Sequence, residues 1–145
     1  MIAIVCIDDN GGILFNNRRV SRDKVLTSWI TEYTAGRTLW MRPYSKELFS
    51  SANADEIVNQ TVKISEDYLS EAKNGDFCFV EDDGLSLFEQ YGNSLEALLI
   101  CRWNRSYPSD VRLPDGLEAL LPEKVVIDEF EGNSHDKITI EKWCR

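Results

Sequence analysis

The strongest constraint on the fold is a change of hydrophobic period along the chain. The runs 2–7, 38–41, 77–80 and 96–103 are apolar at nearly every position, which a strand carries when both of its faces are buried. Between them lie segments of helical spacing, such as Val25, Leu26, Trp29, Ile30 and Tyr33. The last two runs, 124–130 and 137–143, alternate instead and flank Glu131-Gly132-Asn133-Ser134-His135-Asp136, the composition of a hairpin turn. Strand–helix alternation predicts a mostly parallel sheet between helical layers, a three-layer αβα arrangement closed by an antiparallel C-terminal hairpin.

Local signals place the remaining elements. Asp9-Asn10-Gly11-Gly12 turns the chain after the first strand. A helix starts at Ser21 or Asp23 and ends near Gly36, a C-cap residue. Pro43 stops the strand 38–41, and 44–49 makes one or two helical turns before a loop over 50–55. A strand at 61–64 leads into a helix over 65–72 with Ser65 as N-cap. A helix near 84–91 precedes the strand 96–103. Pro108 and Pro114 bracket an irregular connection, and 117–121 is a short helix. The 145 residues fit one domain, 1–145, large enough to bury a core without disulfides or metals.

Composition excludes several classes. A hydrophobic fraction of 43% and a charged fraction of 28% are those of a globular chain. A net charge of −9 is the wrong sign for a nucleic-acid partner. No apolar run approaches the roughly 20 residues of a membrane helix, and the N-terminal run reads as a strand, so a cytoplasmic location is the expectation. Cys6, Cys78 and Cys101 sit inside apolar runs without Cys-x-x-Cys spacing, which reads as structural thiols. The lone histidine, His135, reads as an exposed turn residue; a Ser-His-Asp triad would need it, and the chain has no nucleophile-elbow motif. The basic segment 16–22 is either a solvated loop or a site for an anion or acidic partner.

The segment that bears most on function is Glu81-Asp82-Asp83-Gly84, placed where a strand hands over to a helix. Such junctions receive anionic ligands in α/β folds, and carboxylates there would repel a phosphate. The order of motifs resembles dihydrofolate reductase. Val5-Cys6-Ile7-Asp8-Asp9-Asn10-Gly11-Gly12-Ile13 is similar to that family's first strand and turn, and Arg37-Thr38-Leu39-Trp40-Met41 to its second strand. Leu87-Phe88-Glu89-Gln90-Tyr91 with Leu98-Leu99-Ile100 is similar to a later helix and strand, and Ser109-Asp110-Val111-Arg112-Leu113-Pro114 to its Gly-Asp-x-x-Phe-Pro segment. The resemblance implies the reductase fold and identifies ligand positions. Arg42, Ser45 and Gly84 fall where the family holds NADPH phosphates. Glu81-Asp82-Asp83 replaces its paired glycines. Asp23 is the counterpart of its pterin-binding carboxylate, although an ungapped match back from Met41 puts Leu26 there. Read alone, Asp23 is a helix-start acid favoured by the macrodipole.

These departures predict a reductase-like domain without dihydrofolate reductase activity and with a binding or regulatory role. No cofactor is assigned; NADPH follows only if the family's function is retained, as it would be in a reductase of altered substrate. A second alternative is a divalent-metal enzyme in which Asp8, Asp9, Glu81, Asp82 and Asp83 converge, since clustered carboxylates suit Mg²⁺ or Ca²⁺. The partner is a small molecule or a protein, and a homodimer through the hairpin edge is a further expectation.

Overall fold

The computed structural model of the protein describes residues 1–50 and 61–145. The chain opens with β1 (Ile2–Ile7), the hairpin strands β2 (Gly12–Phe15) and β3 (Arg18–Arg19), and helix α1 (Lys24–Tyr33). Then come β4 (Thr38–Met41), α2 (Pro43–Ser50), β5 (Thr61–Ile64), the single turn α3 (Tyr68–Glu71) and β6 (Phe77–Phe79). A 3₁₀ turn (Gly84–Leu87) runs into α4 (Phe88–Tyr91), followed by β7 (Ala97–Arg102), β8 (Val111–Arg112), α5 (Leu117–Leu120), β9 (Glu123–Phe130) and β10 (Ile138–Cys144).

Seven strands form one sheet in the order β5-β4-β6-β1-β7-β10-β9. The first five are parallel, with Ile4 of β1 opposite Phe79 of β6 on one side and Leu99 of β7 on the other. Only β10 is reversed, pairing antiparallel with β7 on one side and with β9 on the other, so the expected parallel sheet with an antiparallel C-terminal hairpin is the one formed. Alternate residues of the central strands enter two separate clusters: Ala3, Val5, Cys78 and Leu98 on one face, Ile4, Phe77, Phe79 and Leu99 on the other. Leu26, Ile30, Leu48 and Phe49 of α1 and α2 cover the second face, while Tyr68, Leu69 and Leu117 cover the first. Each fully buried Leu, Ile or Phe contributes about 1.5–3 kcal/mol, which makes the doubly covered parallel strands the stable centre.

Several boundaries differ from expectation. The helix expected over 65–72 contracts to Tyr68–Glu71, because Ser65 Oγ accepts from Asp67 N at 3.1 Å and holds a turn there. The helix near 84–91 is split into a 3₁₀ and an α turn. The loop expected over 50–55 lies outside the described residues apart from residue 50, which ends α2. A second sheet, β3-β2-β8, occupies what composition marks as loop. Its hairpin turns through Asn16 at φ 50° and Asn17 at φ 63°, the paired left-handed residues of a type I′ turn. The free hairpin edge, through which the sequence suggests a homodimer, is β9. Val125, Val126 and Ile127 are exposed there, and its register against β10 shifts between Ile140 and Glu141, a bulge of the kind that blunts sheet edges. Among the described residues no helix is long and apolar enough to cross a membrane.

Candidate functional site

The carboxyl ends of β1, β4 and β6 meet at one edge of the sheet, and there the acidic run is folded inward. Val80 N still donates to Ile4 O at 2.8 Å, so the next residue, Glu81, leaves the sheet with its side chain buried. Its carboxylate receives a two-pronged contact from Arg19 of β3: Nε to Oε2 at 2.8 Å and Nη2 to Oε1 at 3.0 Å. Ser45 Oγ, fully buried in the first turn of α2, donates to Oε1 at 2.8 Å. Arg42, just past β4, turns both Nε and Nη2 onto the Glu81 carbonyl. The guanidinium carbons of Arg19 and Arg42 each lie 4.5 Å from the Tyr44 ring centre, a cation–π distance. Burial works against the charge on Arg19, yet the hydrogen bond and charge of Glu81 outweigh it and raise its pKa.

The rest of the acidic run is held differently. Asp82 accepts from the Tyr68 hydroxyl at 2.9 Å and from Gly84 N at 2.8 Å, with Arg42 Nε at 3.8 Å. Burial, then the Asp82 charge, push the Tyr68 phenol well up, so it stays a proton donor. Asp83 is exposed. At Gly84 a Cβ would stand 2.5 Å from Leu69 Cδ1 and 2.8 Å from Asp82 Oδ1, so a larger residue would have to displace the ends of both side chains. The residues matched to phosphate binding, Arg42, Ser45 and Gly84, are thus each engaged with Glu81 or Asp82 of the acidic run.

On β1, Asp8 is buried and closes the β1–β2 turn, accepting from Asn10 N (2.9 Å), Gly12 N (2.6 Å) and Tyr107 N (2.8 Å). Asp9 is exposed, with Ser106 Oγ at 3.2 Å. The expected convergence of Asp8 and Asp9 with Glu81, Asp82 and Asp83 does not form. Among the described residues no three His, Cys, Asp or Glu side chains are arranged to hold a metal ion. The reason is that each buried carboxylate already has donors from the chain itself.

Asp23 caps α1 and is buried. Its Oδ1 accepts from Val25 N (2.9 Å) and Asn133 N (3.1 Å), and its Oδ2 from Ser134 N (2.8 Å). Oδ2 also lies 2.9 Å from His135 Nδ1. Burial opposes its charge, but the hydrogen bonds from His135 and from the Ser134, Asn133 and Val25 amides prevail and hold its pKa below the usual carboxylate range. His135 is not the exposed turn residue its setting suggests. It is 4% exposed, stacks on Trp103 with ring centres 4.5 Å apart, and directs Nε2 at Ser21 Oγ (2.9 Å) and the Tyr107 hydroxyl (3.1 Å). Asp23, Leu26, Cys6, Phe79 and Glu81 line a cavity of only ≈ 10 Å³, about enough for one water molecule.

The solved dihydrofolate reductase from Enterococcus faecalis, complexed with NADP(H) and RAB-propyl, superposes with a TM-score of 0.59 at 15% identity, over 99% of this chain and 95% of that one. This chain has the dihydrofolate reductase fold. At that identity the likeness carries the architecture alone. No protein-family model matches the sequence, and no curated protein matches it either.

Within the dihydrofolate reductase fold, Arg19 and His135 are the residues that sequence reasoning misplaced. Arg19 belongs to the segment read as solvated loop or anion site, yet it neutralises an acid 62 positions away. The signal available was the Asn16-Asn17 pair, whose hairpin brings Arg19 back over the sheet edge. For His135 the signal was Gly132: a Cβ there would lie 2.3 Å from Asp23 Oδ2, so the turn closes on the helix start only with glycine.

Proposed function

We propose that this chain is a dihydrofolate-reductase-like domain without dihydrofolate reductase activity, with a binding or regulatory role towards a small molecule or a protein. The observation that carries the reading is the closure of the central cavity to ≈ 10 Å³, where small-molecule pockets run about 300–1,000 Å³. Side chains of β1, α1, α2 and β6 fill the space a flat heterocycle would need.

The site after β6 supports the same reading. The residues present do not suit NADPH. The sequence argues that Glu81-Asp82-Asp83 would repel a pyrophosphate, but the Arg19 contact changes the obstacle. Glu81 is neutralised, and a phosphate would have to displace it from Arg19 and Ser45. Stripping one partner from a buried ion pair costs about 3–5 kcal/mol, equivalent to a loss of roughly 10²–10⁴ in affinity. A reductase of altered substrate meets the same obstacle, because it needs the same cofactor. The metal-enzyme alternative has no convergent carboxylates to stand on.

The test is direct. Purified protein should neither oxidise NADPH with dihydrofolate nor bind NADPH below about millimolar concentration by calorimetry. Turnover, or binding at micromolar NADPH, would overturn the proposal.

A further inference from the structure

Ser21, His135 and Asp23 are connected in the order of a nucleophile, a base and the carboxylate that orients it. Asp23 Oδ2 is 2.9 Å from His135 Nδ1, and His135 Nε2 is 2.9 Å from Ser21 Oγ. The carboxylate is ionised and takes three further backbone N–H groups, so a proton sits on Nδ1 and, in the neutral imidazole, Nε2 presents its lone pair. The hydroxyl of Ser21 therefore donates to a base held from behind, the geometry that activates a serine. Packing fixes the ring further: Trp103 stacks on it at 4.5 Å, and Gly132 clears the space beneath Asp23.

Two further features belong to the same place. Trp103 Nε1 is the buried side-chain polar atom without a hydrogen-bond partner among the described residues, and Trp103 lines the same small cavity as Ser21. Outside that cavity, an open cleft of ≈ 570 Å³ is lined by Phe15, Arg18, Val20 and Tyr107 among others. Val20 adjoins Ser21 in sequence, and the Tyr107 hydroxyl itself touches His135 Nε2 at 3.1 Å. Arg18 is exposed on the cleft wall.

We propose that Ser21, His135 and Asp23 form a hydrolytic centre that cleaves small aryl esters bearing a carboxylate, with the ring against Phe15 and Tyr107 and the carboxylate at Arg18. This goes beyond the binding role proposed above and does not depend on it. Ser21 Oγ adds to the ester carbonyl as His135 Nε2 takes its proton; the C–O bond to the aryl group then breaks, and that proton leaves with the phenol. Water, deprotonated by the same nitrogen, adds to the acyl-serine and releases the carboxylic acid and Ser21. Asp23 is a positioning residue throughout.

The test uses the intact protein with a fluorophosphonate probe, followed by mass spectrometry and peptide mapping. One probe per chain at Ser21 is expected. Labelling should fall at least tenfold in Ser21→Ala and in His135→Gln, and should rise in Tyr107→Phe, where the second hydroxyl no longer competes for Nε2. Ser21→Ala removes one half-exposed hydroxyl, so its circular dichroism should match the parent and keep the comparison valid if His135→Gln unfolds. Hydrolysis of 4-acetoxybenzoate should exceed that of phenyl acetate about tenfold, and the preference should vanish in Arg18→Met. Absence of label at Ser21, or label that survives Ser21→Ala, overturns the centre; equal rates on the two esters overturn the substrate assignment.

Discussion

Replacing Arg19 by Met tests whether the closed sheet edge rests on the Arg19–Glu81 pair. The two contacts at 2.8 and 3.0 Å join side chains that are 12% and 7% exposed, too buried for water to screen them fully. At an effective dielectric near 20, unit charges about 4 Å apart attract by roughly 4 kcal/mol, and most of that offsets the cost of dehydrating both groups. The pair's net worth is therefore small, but removing one partner strands the other. Arg19→Met leaves Glu81 with the Ser45 hydroxyl alone and should destabilise the fold by about 3–5 kcal/mol. For a chain of this size that is a fall of about 10–15 °C in Tm. Urea unfolding measures it directly, with Glu81→Leu and the double variant completing a cycle. Arg19→Met/Glu81→Leu removes both charges and should return to within about 1 kcal/mol of the parent. A loss below about 1 kcal/mol, or a coupling energy within about 0.5 kcal/mol of zero, would refute the reasoning.

Other measurements probe separate parts of the molecule. The Asp23 carboxyl has a folded pKa below its ordinary value of 3.8; its stabilisation is complete above that value and lost as the pH drops through the lower folded one. Urea midpoints followed from pH 6 to pH 2 should show a steep fall below about pH 4 that Asp23→Asn makes shallower. Gly132→Ala would place a Cβ 2.3 Å from Asp23 Oδ2 and should cost at least the worth of an N-cap, about 0.5–2 kcal/mol, read as a lower urea midpoint. Among the thiols, burial pushes Cys78 up to about 12, and hydrogen bonding to Cys101 with burial raises Cys6. A thiol-exchange reagent at pH 8 should titrate Cys144 quickly in the folded protein and all four cysteines only after unfolding.

The fold was legible because its signals are local or periodic. Continuous apolar runs mark doubly covered strands, and the two clusters that divide Ala3 from Ile4 and Cys78 from Phe79 are the consequence of a period of two. Where the reading missed, a single polar contact decided the local structure: Ser65 holding Asp67 in a turn, or two asparagines turning β2 into β3. The candidate site is different in kind. Its partners are separated by 62 residues for Arg19 and Glu81 and by 112 for Asp23 and His135, and no periodicity encodes a pairing at that distance.

The same reasoning explains why the acidic run changes character once folded. As sequence, Glu81-Asp82-Asp83 is a block of charge at a ligand-binding junction, and repulsion of phosphate is the inference it licenses. In three dimensions the three acids separate by environment. Glu81 is buried against Arg19 and Ser45, Asp82 is tied to Tyr68 and Gly84, and Asp83 faces solvent. Charge repulsion then yields to self-occupation: the donors that would meet a phosphate already meet a carboxylate or carbonyl of the same chain. Such a substitution needs both sides at once, because an acid buried without Arg19 would be costly and Arg19 without the acid would be a free anion site. The pairing, more than the acidity, closes the edge of the sheet.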